Sequence, residues 1–184
     1  MNHIQLQGKI LLAEPFMSDP NFKRSVVFLC EHDSEGSFGF VLNKILDISL
    51  SELISDLPDF KAKVYLGGPV QNDTLHFLHN LGDLVEDSLL IGNGIYWGGN
   101  FNALKTLIQH ELVMPQNVRF FVGYTGWSAG QLTEEIEAGS WVVADMDANY
   151  IFKNQPQELW QQVLENKGNN FAVIAQMPDY WYDN

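Results

Sequence analysis

The chain has a single cysteine, Cys30, in 184 residues, so it can form no intrachain disulfide. Charge is also scarce. Asp, Glu, Lys and Arg make up 18% of the residues, against roughly 25% in an ordinary soluble domain. Basic residues are the scarcer kind: 10 Lys+Arg stand against 23 Asp+Glu, for a formal charge of −13. That balance argues against direct binding to nucleic acid or to an anionic membrane, because Lys and Arg drive such binding by displacing counterions. Lys23-Arg24 is the longest basic cluster, with Lys61 and Lys63 next, and a local basic face is still compatible with an acidic total.

Long apolar runs are missing too. No segment approaches the roughly 20 residues that span a bilayer. Met1–Gln5 lacks the basic start and apolar stretch of a signal peptide, so a cytoplasmic location is expected. Cys30 sits inside the apolar run Val26–Cys30 and is expected to be a buried structural thiol. The five histidines (His3, His32, His76, His79 and His110) show no metal-ligand spacing. His76 and His79, three apart on a strand, should point to opposite faces. We expect no metal, no cofactor and no motif-based hydrolase chemistry.

Hydrophobic residues, by contrast, make up 46% of the chain and aromatics 12%. A chain of this size can bury about 70% of its unfolded surface, which excludes disorder for most of it. Strands are expected at Lys9–Ala13, Ser25–Cys30 and Phe38–Leu42, the last two joined as a hairpin through residues 31–36. Val64–Leu66, Thr74–Leu78, Leu89–Ile91, Val118–Tyr124 and Trp141–Ala144 read as further strands. Ser49 and Glu52 have capping-box spacing and open a short helix to about Ile54. Asn102 is expected to cap a helix carrying Leu104, Leu107 and Ile108. A last helix from Pro156 carries Leu159, Trp160, Val163 and Leu164 and should stop near Gly168. Residues 178–184 read as an aromatic, acidic tail, docked on the fold or free to contact a partner.

The clearest unit is the glycine-rich run Gly123–Gly130 before a helix at Gln131–Ala138. Gly67, Gly68, Gly123, Gly126 and Gly130 are expected at turns, with the last three letting a strand turn sharply into the helix. Such a loop can also bind an anion, but the P-loop Lys-Ser/Thr and the G-x-G-x-x-G spacing are both absent. At about 100° per residue, Leu132 and Ile136 form the buried stripe, with Gln131 and Glu135 along its border. Those two should be half-buried and hydrogen-bonded, while Glu134 and Glu137 face water. Glu135 then acts either as an acid or base or as an anchor for a neighbouring loop.

Taken in order, these segments resemble the AlgH/YqgE family of bacterial proteins. The matching pieces are Gly8–Ala13 with Pro15, Phe22–Val27, Glu31-His32, Gly36, Gly39 and Val41-Leu42-Asn43. Gly67–Val70, Leu78-His79, Gly123-Tyr124, Gly126-Trp127, Gly130–Leu132, Glu135 and Trp141 follow, over about residues 8–168. The chain departs from the family pattern at Ile45, where proline is usual, and at Thr133, where glutamate is usual. The resemblance implies a single α+β domain, a mainly antiparallel sheet flanked by helices, spanning residues 1–184. The family often carries a transcriptional-regulator label, while the charge and the lack of a recognition helix weigh against direct DNA contact. We therefore expect a non-catalytic regulatory or interaction protein with an unidentified protein partner. The alternative is a small-molecule site, possibly enzymatic, among Arg24, Glu31, His32, Asn43, His79, Trp127, Gln131 and Glu135. As structural groups, the same side chains would instead knit turns to the core.

Overall fold

A computed structural model describes residues 5–153 and 156–178. In chain order its strands are β1 (Ile10–Ala13), β2 (Val26–His32), β3 (Gly36–Val41), β4 (Ile45–Ser49), β5 (Lys63–Leu66), β6 (Val70–His79), β7 (Leu89–Gly92), β8 (Ile95–Trp97), β9 (Val118–Ser128) and β10 (Trp141–Ala144). Its helices are α1 (Leu50–Leu53), α2 (Phe101–Gln109), α3 (Gln131–Glu137), α4 (Asn149–Phe152), α5 (Leu159–Lys167) and α6 (Asn169–Ala175).

The strand β9 joins the two halves of the sheet. Its first part lies antiparallel to β6 on one side and parallel to β5 on the other. Its last part, from Thr125 to Ser128, leaves β5 behind and pairs antiparallel with β3. The sheet runs β10-β1-β2-β3-β9-β6-β8-β7, with β4 attached through β5. All pairings among the described residues are antiparallel except β5–β9. This is the expected α+β arrangement.

Strand alternation sorts the apolar residues to two faces. Ile10, Leu12, Val26, Phe28, Phe40 and Phe121 lie on one face, under Ile151, Phe152 and the Leu159, Trp160, Val163 and Leu164 stripe of α5. On the opposite face, Leu11, Ala13, Val27, Leu29 and Val41 pack with Leu132 of α3 and with Trp127 and Trp141. At the β5–β6 end, Val64, Phe77 and Phe120 are covered by Leu50 of α1 and by Leu104 and Ile108 of α2. Helices thus flank the sheet on both sides. Cys30 is buried, as expected, and its burial pushes the thiol pKa up.

Gly123 and Gly126 lie inside β9 rather than in a turn, and the turn to α3 comes later, at Gly130. The reason is a close crossing. A Cβ on Gly67 would sit 2.3 Å from the Gly123 carbonyl oxygen, and one on Gly123 would sit 2.7 Å from the Gly68 oxygen. Backbone passes backbone here. Gly67 N–H donates to Val122 at 2.8 Å and its carbonyl accepts from Val41 N–H and the Thr125 hydroxyl. Gly67 therefore links β3, β5 and β9 where β9 changes partner.

Other departures are local. Ser49 opens α1 with the expected capping box, but the residues just before it, Ile45–Ser49, form β4. Asn100, not Asn102, caps α2, its Oδ1 accepting from Ala103 N–H at 3.1 Å. β8 and α6 follow turns at Gly94 and Gly168 and carry no expectation from sequence. Residues 179–184 of the aromatic tail lie outside the described residues.

The crossing makes a measurable demand. Gly123→Ala should lose about 2–4 kcal/mol in urea unfolding, from a positive φ and two overlapping carbonyls together. Gly139→Ala, whose φ is also positive but whose Cβ meets nothing within 4 Å, should lose only about 1 kcal/mol. Equal losses would mean that the crossing carries no special constraint.

Candidate functional site

The densest polar constellation sits where β9 ends. Gly130 adopts a φ of +78° and starts α3 immediately after the strand. One helical turn then places Gln131 and Glu135 on the same side. Glu135 Oε2 accepts from Trp127 Nε1 at 2.9 Å and from Trp141 Nε1 at 2.8 Å. Its Oε1 accepts from Gln131 Nε2 at 2.9 Å. Gln131 Oε1 in turn accepts from the Ser128 backbone N–H at 3.0 Å and from its hydroxyl. The two indoles are buried and meet edge to face, with centroids 5.8 Å apart. One carboxylate thus ties β9, α3 and β10 together.

Glu135 is half-buried and bonded as expected, while Glu134 and Glu137 are exposed. Gln131 is bonded but exposed rather than half-buried. Glu135 anchors differently from the neighbouring-loop role expected of it: its partners are two indole N–H groups from separate strands and the Gln131 amide.

Arg24 and Asn43 form a second group. Asn43 Oδ1 accepts from Val26 N–H at 3.0 Å, and its Nδ2 donates to the Arg24 carbonyl at 2.8 Å. That clamp holds Arg24 at a φ of +51°. The Arg24 guanidinium lies 4.8 Å over the Trp160 ring and donates to the Met177 carbonyl.

His79 is a third, separate place. It is fully buried. Its Nε2 donates to the Gly98 carbonyl at 3.0 Å, and its Nδ1 accepts from Leu81 N–H at 3.3 Å. Its ring stacks on Tyr96. Both nitrogens are in use, which fixes the neutral tautomer, and burial holds the pKa below its ordinary 6.5.

His32 makes a fourth. Its Nδ1 meets the Ser37 hydroxyl at 2.7 Å. It lines a groove of about 530 Å³ with Asp33, Ser34, Gly130 and Thr133, beside the start of α3. Glu31, next to it, is exposed. Of the eight candidates, Trp127, Gln131 and Glu135 share one hydrogen-bond network, with His32 in the adjoining groove. Arg24 with Asn43, and His79 alone, bond elsewhere. Among the described residues no group of three His, Cys, Asp or Glu is placed to hold a metal ion.

Two features escaped the sequence reading. Gly126-Trp127-Ser128-Ala129-Gly130 has G-x-S-x-G order, the spacing of a nucleophile elbow. Its context differs from an elbow: β9 is antiparallel to β3 here, Ser128 has no positive φ, and its hydroxyl donates to Gln131, with no histidine bonded to it among the described residues. The second is His76, half-buried among Phe40, Trp97 and Tyr124 and lining a groove of about 410 Å³ with Ile54, Phe77 and Phe101. Burial lowers its pKa as well.

Comparison with known proteins gives a consistent picture. The model of a family described as AlgH-like matches residues 10–172. A UPF0301 protein of Chlorobaculum parvum is 41% identical over 172 residues, covering 94% of this chain and 92% of the relative. One of Cytophaga hutchinsonii is 42% identical over 173 residues, covering 94% and 95%. The solution structure of the AlgH protein from Pseudomonas aeruginosa superposes with a TM-score of 0.75 at 29% identity, covering 94% of each chain. A crystal structure of a Corynebacterium diphtheriae protein shares the fold, with a TM-score of 0.79 at 22% identity over 96% of this chain and 95% of that one.

The clamp and the buried histidine each predict a stability effect. Glu135→Gln should lose about 1–3 kcal/mol, since one amide oxygen replaces a carboxylate accepting three bonds. The near-UV circular dichroism of the two tryptophans should change with it. Exposed Glu134→Gln should stay within about 0.5 kcal/mol of the parent. For His79, the unfolded chain takes up a proton at its ordinary value while the folded chain resists it. Stability is therefore full above about pH 6.5 and declines as pH falls below it. His79→Gln should flatten that decline in urea titrations across this range, leaving the share of His76, which shifts in the same direction.

Proposed function

The chain belongs to the AlgH-like family, and on that basis we propose that it is a non-catalytic protein-interaction module with a regulatory role, working in the cytoplasm. The main support is how the shared polar side chains are used. Glu135, Trp127, Gln131, Asn43 and His79 are bonded into the fold itself. At the end of the sheet, large aliphatic side chains face outward. β7 ends the strand order, and Leu89 and Leu90 on it are 56% and 58% exposed. Leu84, just before it, is 61% exposed. A strand at the end of a sheet that carries exposed aliphatic side chains is a template for an added strand. Regulation in this reading runs through a protein contact, because a net charge of −13 repels a phosphate backbone.

A second reading is a small-molecule site in the His32 groove. Its size supports that reading, being within the range of small-molecule sites.

The test is a lysate pull-down with the parent chain and with Leu89→Asp/Leu90→Asp, compared by mass spectrometry. A stoichiometric protein retained by the parent and lost from the variant is the expected result. No partner for the parent, together with turnover of a metabolite that depends on His32, would overturn it in favour of the second reading.

A further inference from the structure

Four of the ten lysines and arginines gather in one place. Lys61, Lys63, Arg119 and Lys153 line a groove of about 330 Å³ around Tyr65, and among the described residues no acidic side chain lines it with them.

Topology builds this groove. In the parallel β5–β9 pair, Val64 lies opposite Phe120 and Tyr65 opposite Phe121. Alternation then puts Lys63, Tyr65, Arg119 and Phe121 on one face, with Lys61 two residues before Lys63. Deeper along the strands that face is core, holding Tyr65 and Phe121. Toward the strand starts it emerges at the surface, and there its side chains are cationic. Lys153 follows α4 directly and closes the groove from the helix side.

The arginine is held in place. Arg119 Nε donates to the Ile151 carbonyl at 2.7 Å, and the guanidinium lies 5.6 Å over the Tyr65 ring. Its terminal nitrogens make no hydrogen bond among the described residues. The side chains of Lys61, Lys63 and Lys153 likewise have no ion pair or hydrogen bond among the described residues. Elsewhere on the molecule Lys9 pairs with Asp145, and Lys105 with Asp56. The chain has 23 acidic residues with which to neutralise cations, yet among the described residues none lines this groove. Gathering like charges without one is unfavourable unless an anion joins them.

We propose that this groove binds a small phosphorylated molecule, a diphosphate or a phosphate ester carrying at least two negative charges. A positioned guanidinium fork matches phosphoryl oxygens in pairs, and flexible lysines add point charges around it. The volume is at the lower end of small-molecule sites, which suits a metabolite. A nucleic acid needs a basic stripe that follows its backbone, whereas here a group of four cations lines one groove on an acidic protein. The site is distinct from the β7 edge and does not depend on the interaction reading.

Titrating the full chain with inorganic pyrophosphate at low ionic strength tests this, by calorimetry and by amide NMR. The expected result is saturable one-to-one binding with a Kd at or below about 1 mM. Amide shifts should centre on residues 61–65, 116–119 and 153. Lys61→Gln/Lys63→Gln should weaken it about tenfold or more, and both side chains are exposed, so the fold is not at stake. Arg119→Lys keeps the charge but loses the fork and should weaken it several-fold. Lys23→Gln, outside the groove, should leave it unchanged. No saturable binding, an equal loss in Lys23→Gln, or binding of a single-stranded oligonucleotide but not pyrophosphate would each overturn the proposal.

Discussion

Two stretches of backbone pass each other at Gly67–Gly68 and Gly123 with no room for a side chain between them. This crossing allows β9 to serve both halves of the sheet. On one flank it must leave β5 and take up β3 within a few residues, since its Val122 pairs with Leu66 and its Thr125 with Gly39. Gly67 sits in the gap and links the three strands through its own N–H and carbonyl. A strand fixed in this way delivers what lies at both ends. Its far end places Trp127 beside α3. Its near end places Arg119 beside β5.

At the far end the problem is to seat a partly buried carboxylate among aromatic rings. Desolvating a charge is costly unless hydrogen bonds replace the lost water. Glu135 solves it with two indole N–H groups and one amide, all donors that cannot themselves carry a competing negative charge. The network has direction as well. Ser128 N–H is bound by Gln131, Gln131 binds Glu135, and Glu135 binds Trp127 and Trp141. The helix start, its first turn and the next strand are therefore positioned by one chain of bonds. Loss of the carboxylate leaves two buried indole donors unpaired, which is the costly side of the asymmetry between making a hydrogen bond and breaking one.

Much of this was legible one element at a time. Short apolar runs and a polar hairpin connection mark β1, β2 and β3, and helical phase marks the Gln131–Glu135 side of α3. What resisted was contact between segments. Gly123 and Gly126 read as turn formers, although a glycine inside a strand equally marks close approach of another backbone, and nothing local separates the two meanings. β4 was hidden because it pairs irregularly and is mostly exposed, so burial imposes no pattern on it. The family resemblance supplied Trp127, Glu135 and Trp141 as matching residues without saying that they touch. His79 looked like a candidate ligand because its two partners, Gly98 and Leu81, are a carbonyl and an N–H that any residue would offer. Lys61 and Lys63 were visible as a weak cluster. Arg119 and Lys153 join them through a parallel pairing and a helix end, and neither can be read from spacing.

The acidic total and the basic groove are not in conflict, because charge acts over a limited range. At about 0.1 M salt the Debye length is about 10 Å, so an anion within the groove responds mainly to the cations that line it. A polymer anion extends well past that distance and meets the acidic remainder of the surface. The same charge of −13 that disfavours a phosphate backbone therefore leaves a compact phosphate free to bind. It also sharpens the choice among ligands, since each added negative charge outside the groove is opposed by the surrounding field. On an acidic protein, a confined basic site selects anions by their size as much as by their charge.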